Sequence, residues 1–142
     1  MKRLLAVVAV LALTGFLLAA CSDKEARERN EELMASLPLY PGATLVQTYV
    51  ISDIKTGPVL WHVYATSTDG EGVRTFYKQN LADLGWRLDF SKDSVMLVFH
   101  KNGAEADLFV YDRELPDPGV EVTQVATPPP GTAAFFGIRV SQ

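Results

Sequence analysis

The chain has 142 residues, of which 48% are hydrophobic and 21% charged, with a single cysteine. That length fits one domain and supplies enough apolar residues for a core, while one cysteine excludes an intramolecular disulfide framework. Seventeen acidic residues face 13 basic ones, a net charge of −4 that argues against a nucleic-acid partner and against an electrostatic grip on anionic lipid.

The first segment, 1–20, opens with the cationic Lys2-Arg3 and continues from Leu4 to Ala20 without a charge, Thr14 being its one polar side chain. A positive start, an apolar middle and small residues at the end describe a secretory signal peptide. A core helix would place polar residues at a 3.6-residue period, and this stretch has none. A permanent membrane span, which takes about 20 residues, is the alternative that the length allows.

Leu18-Ala19-Ala20-Cys21 closes the segment and resembles the lipobox of bacterial lipoproteins, in which an aliphatic and two small residues precede an obligatory cysteine. The resemblance implies recognition of Leu18, Ala19 and Ala20 by a signal peptidase that cuts before Cys21. It also implies a diacylglyceryl thioether on the Cys21 sulfur and, in many bacteria, a further acyl chain such as palmitate on the new amine. Small side chains suit a tight peptidase site, and a thiol is nucleophilic enough for the alkylation. One fatty chain holds a protein only marginally, at about 0.8 kcal/mol per buried CH₂, whereas two or more anchor it stably. The expected partner is therefore a membrane, reached through Cys21. Ser22 after the cysteine favours, by the same resemblance, an outer membrane facing the periplasm; in a single-membrane bacterium the site is the outer face of the plasma membrane. Loss of Lys2 and Arg3 leaves 11 basic residues against 17 acidic ones, a formal charge of −6.

Residues 21–36 are dense in charge. Ser22 and Glu25 fit a capping box, and Lys24/Glu28, Glu25/Arg29 and Arg27/Glu31 are opposite charges four apart. A helix this short is marginal alone, so the expectation is a charged, helical tether. The competing expectation is a docking helix with Leu33, Met34 and Leu37 as its apolar edge.

The globular domain, 37–142, begins at Leu37-Pro38-Leu39-Tyr40-Pro41-Gly42-Ala43, where two prolines disfavour helix and Gly42 permits a turn. Residues 44–52 read as a strand with Leu45, Tyr49 and Ile51 on one face. After Gly57-Pro58, residues 59–67 form a second strand, with Val59, Trp61, Val63 and Ala65 opposed to Leu60, His62, Tyr64 and Thr66. A helix follows: Thr68 or Asp69 caps it, Val73, Phe76, Tyr77, Leu81 and Leu84 make one apolar stripe, and Gly85 ends it. Residues 86–90 alternate as a strand, Val95 to His100 as another, and Asn102-Gly103 signals a tight hairpin into Ala106, Leu108 and Val110. Residues 113–132 carry five prolines and no helical pattern, with a short edge strand expected within 120–125, and 133–140 supplies the last strand.

The order ββαβββ-loop-β predicts an α+β fold: an antiparallel sheet of five to six strands with one long helix packed on one face. The segments Tyr40-Pro41-Gly42-Ala43 and 76–86 (FYKQNLADLGW) resemble a group of poorly characterised bacterial envelope lipoproteins, and the resemblance implies fold and compartment but no reaction.

No Gly-rich phosphate loop or G-x-S-x-G elbow appears, and acylation removes Cys21 as a nucleophile. His62 and His100 would join in a metal site only if their strands were neighbours; ordinary surface histidines are the expectation, with no metal or other cofactor. Tyr64, Phe109, Tyr111 and Phe135 are expected on the sheet's far face, as an apolar binding patch if that face is open and as core if the 113–132 loop covers it. Together these readings predict a non-enzymatic, lipid-anchored envelope protein that binds a protein or a small apolar ligand. The alternatives are a scaffold lipoprotein of an envelope assembly machine and a hydrolase.

Overall fold

The computed structural model describes residues 24–53, 57–92, 95–111, 124–125 and 127–142. Residues 1–20, expected to be a signal peptide, the Leu18–Cys21 motif and most of the 113–132 segment lie outside the described residues. Among the described residues, two helices, α1 (24–36) and α2 (Gly70–Asp83), accompany seven strands. These are β1 Thr44–Asp53, β2 Gly57–Thr66, β3 Arg87–Lys92, β4 Met96–Lys101, β5 Ala104–Tyr111, β6 Gln124–Val125 and β7 Ala134–Ser141. They form one sheet in the order β3-β4-β5-β7-β2-β1-β6, and every neighbouring pair is antiparallel. The α+β class and the element order agree with the reading from sequence. β6, only two residues long, falls inside the expected edge strand and pairs with β1.

The turns explain why the strands sit as they do. The amide of Ala43 donates to the Tyr40 carbonyl at 3.0 Å and Gly42 has φ 74°, a type II turn with Pro41 and Gly42 at the positions that want them. That turn aims the Tyr40 ring at Phe76, edge-on at 5.1 Å. Asn102 and Gly103, at φ 52° and 86°, close a two-residue hairpin between Lys101 and Ala104.

α2 connects β2 to β3, which run parallel with β7, β5 and β4 between them, so the helix crosses the sheet on one face. The Asp69 carboxylate accepts from the Gly72 amide at 2.9 Å to start it. Gly85, at φ 84°, ends it in a Schellman motif: the Gly85 amide donates to Ala82 O and that of Trp86 to Leu81 O, both at 2.9 Å. Lys101 Nζ also donates to the Leu84 carbonyl at 2.6 Å, a cation on the negative end of the helix. The apolar stripe is shorter than expected. Val73, Tyr77 and Leu81 are buried, whereas Leu84 is the C-cap and lies exposed. Burial of Val73 and Leu81 stabilises the fold by about 2 kcal/mol each.

Two clusters form, one per sheet face. On the helix side, Tyr64, Leu97, Phe99, Leu108, Phe136 and Ile138 pack beneath α2 and α1. On the far side, Val46, Tyr49, Trp61, Val63, Ala65 and Phe135 pack together. The inward and outward sets of β2 are those the alternation predicts. β1 departs from it: a bulge between Leu45 and Gln47 sends Leu45 toward the helix-side cluster and groups Val46 with Tyr49. A second bulge, between Leu88 and Phe90, breaks the alternation of β3 and leaves both side chains substantially exposed.

α1 is a docked helix in its C-terminal half, in place of the expected tether. Asn30 is 1% exposed, and its Nδ2 donates to the Pro58 carbonyl at 2.5 Å. Met34 and Leu37 enter the helix-side cluster, with Leu33 against it. The charged side stays in water, where Lys24 meets Glu28 at 3.6 Å.

Candidate binding groove

α2 lies over β3, β5 and β7, and α1 stands over β1 and β2. Between α1, the 37–39 segment and the sheet runs a groove of about 510 Å³. The sheet supplies its floor through residues of one pleat face: Thr48 and Val50 of β1, Leu60, His62 and Tyr64 of β2, and Ile138 of β7. α1 supplies Glu31, Met34 and Ala35, and the following turn adds Leu37, Pro38 and Leu39. Leu39, 54% exposed, stands at the mouth. Such a site, mostly apolar with a few polar groups and a volume within about 300–1,000 Å³, is of the kind that holds small ligands.

Its polar groups are arranged about His62. Thr48 is the cross-strand partner of His62, which places the hydroxyl and the imidazole side by side. His62 Nδ1 lies 3.2 Å from the Tyr64 hydroxyl, and the rings meet edge-on. Tyr64 in turn stacks on Phe136, with centroids 5.2 Å apart. Burial lowers the pKa of His62 below its ordinary 6.5, and the Glu31 carboxylate partly offsets this. His62 is therefore neutral at pH 7. Burial also raises the Tyr64 pKa, so the phenol keeps its proton.

The four aromatic residues expected to share a face divide. Phe109, Tyr111 and Phe135 lie on the far side, but Tyr64 pairs with Phe136 across the β2–β7 ladder and is buried on the helix side. The reason is register: Tyr64 and Phe136 are cross-strand partners, and Phe135 points the other way. Nor is the far side an open apolar patch. Tyr49 is 0% exposed and Phe135 is buried; Trp61 lies 5.0 Å from Tyr49 and 5.7 Å from Phe109. Phe109 and Tyr111 are half-buried and stacked on each other, and burial pushes the Tyr111 phenol up to about 12.

His62 and His100 are kept apart. β7 and β5 separate their strands, and the two residues point to opposite faces. His100 Nε2 instead lies 3.6 Å from Asp89 and 3.7 Å from Glu105. Among the described residues, no group of three or more His, Cys, Asp or Glu is placed to hold a metal ion. No described helix is long and apolar enough to cross a membrane.

The groove was hidden in the sequence by one residue. Asn30, Leu33, Met34 and Leu37 share a helical face, but a polar residue at the first position disguises the stripe, whose apolar part starts only at Leu33. Asn30 is buried because its amide reaches the Pro58 carbonyl, a contact no local pattern encodes.

Comparison with family models, with curated proteins and with solved structures finds no match to this chain.

Proposed function

We propose that this is a lipid-anchored protein of the bacterial cell envelope, a non-enzymatic binding module whose groove between α1 and the sheet takes a small apolar ligand. The groove is the observation that carries the binding reading: about 510 Å³, floored by Val50, Leu60 and Ile138 and walled by Met34 and Leu37. A concave site favours a small molecule over a protein surface, for which the far face, with Tyr49, Trp61 and Phe135 already buried, offers little. The groove's imidazole is tied to the Tyr64 phenol with the Thr48 hydroxyl alongside, polar groups that serve to orient a bound ligand. The anchor rests on Leu18-Ala19-Ala20-Cys21 at the end of a Lys-Arg-led apolar run.

Two measurements test the two halves. Intact-mass spectrometry of material from native membranes is expected to find the chain starting at an acylated Cys21; an unmodified thiol or a retained 1–20 segment refutes the anchor. Hexanol titrated into the full chain in phosphatidylcholine nanodiscs is expected to shift the methyl resonances of Met34, Leu60 and Ile138. Ala35 lines the groove from an exposed helix position, so Ala35→Trp is expected to abolish those shifts without unfolding the domain. Absence of shifts in the native chain refutes the groove as a site.

A further inference from the structure

The electrostatics of the groove narrow its ligand further, on the premise that it is the binding site. Among the described residues that line the groove, Glu31 is the only carboxylate, and none is a lysine or arginine. Arg27, one turn earlier on α1, does not line the groove but shares with Glu31, Val50 and Leu60 a smaller adjoining cleft beside Pro58 and Val59. The remaining polar groups are the Thr48 hydroxyl, the Tyr64 phenol and the His62 imidazole. A carboxylate or phosphate ligand needs a cationic donor to offset its desolvation, and the described residues of this lining include none. An ammonium group needs acceptors, and the Glu31 carboxylate stands beside the apolar floor.

We propose that the groove selects amphipathic amines, with the apolar body over Val50, Leu60 and Ile138 and the ammonium group toward Glu31, and that it discriminates against fatty acids and other apolar anions. The neutral state of His62 leaves that preference intact at pH 7, because no imidazolium opposes Glu31. Binding should be weakly pH-dependent above neutrality and should weaken in acid as His62 gains its proton beside Glu31, with Tyr64 as the other titratable group facing it.

The test uses three probes of equal chain length, hexylamine, hexanol and hexanoate, with the full chain in zwitterionic phosphatidylcholine nanodiscs at pH 7.5. The readout is the methyl shifts of Met34, Leu60 and Ile138. Hexylamine is expected to bind about fivefold more tightly than hexanol, and hexanoate about fivefold more weakly, the effect of one unit charge a few ångströms away in a wet site. Glu31→Gln, at an exposed position that leaves the fold unchanged, is expected to bring the three together. Equal binding of the three by the native chain, a preference for hexanoate, or an amine preference unchanged in Glu31→Gln overturns the inference and leaves the groove standing. If none of the three moves the groove methyls, the binding reading itself fails and this inference with it.

Discussion

Gly137 sits in the middle of β7, a position where glycine ordinarily weakens a strand. Its reason is Trp61 on the neighbouring β2, whose indole lies so close over the Gly137 backbone that an added Cβ would collide with Nε1 and press on Cε2. Trp61 has little room to move, held between Tyr49 and Phe109. Gly137→Ala is expected to destabilise the domain by about 1–3 kcal/mol, read as a lower denaturant midpoint. Nearby, Asp107 is 1% exposed and receives Arg139 Nε at 2.7 Å together with a second guanidinium nitrogen. Its pKa is raised because desolvation outweighs the attraction of Arg139. Removing the cation alone strands a buried carboxylate, so Arg139→Met should cost about 3 kcal/mol, while Asp107→Leu with Arg139→Met should recover most of it. The partial exposure of Arg139 puts the expected cost at the low end for such pairs. His62 gives a pH signature. Burial lowers its folded pKa, so the unfolded chain takes up the proton first. Its contribution is complete above about pH 6.5 and is lost as pH falls from there toward the folded pKa. Unfolding curves for His62→Gln should lack that component of the acid slope.

Elements with local signals were legible, and those defined by distant contacts were not. The Asn102-Gly103 hairpin, the Asp69 cap, the Gly85 stop and the alternation of β2 and β5 depend on neighbours a few residues away, and each stands where the sequence puts it. The bulges in β1 and β3 have no such signature, and a single extra residue in each was enough to upset the expected faces. α1 shows the same limit: its charge pairs read as a tether because what holds it, the Asn30 contact with Pro58, spans 28 residues. Tyr64 lies on the helix side for a related reason: alternation sorts a strand into two faces without saying which one the helices cover. The Asn30 contact can be broken separately from the core. Asn30→Ala removes the donor to the buried Pro58 carbonyl, at a cost of about 1–3 kcal/mol. Amide exchange should quicken across 24–36 while α2 and β7 keep their protection; equal loss in all three would mean that α1 has no independent docking equilibrium.

For the whole molecule, the sheet separates two different jobs. Its far face is a packed cluster bordered by the Asp107–Arg139 pair, whereas its helix side is divided between α2, which is core, and α1, which leaves a groove. α1 is also the element nearest in sequence to Cys21, so the proposed anchor would hold the groove close to the membrane surface. The central claim is that apolar ligands enter beneath α1 and not at the aromatic residues of the far face. Photo-crosslinking of the full chain with an alkylamine bearing a terminal diazirine, followed by peptide mapping, tests this most directly. The account predicts adducts within 31–39 and 48–64 that disappear in Ala35→Trp; adducts at Phe109, Tyr111 or Phe135, or labelling that Ala35→Trp leaves untouched, would contradict it.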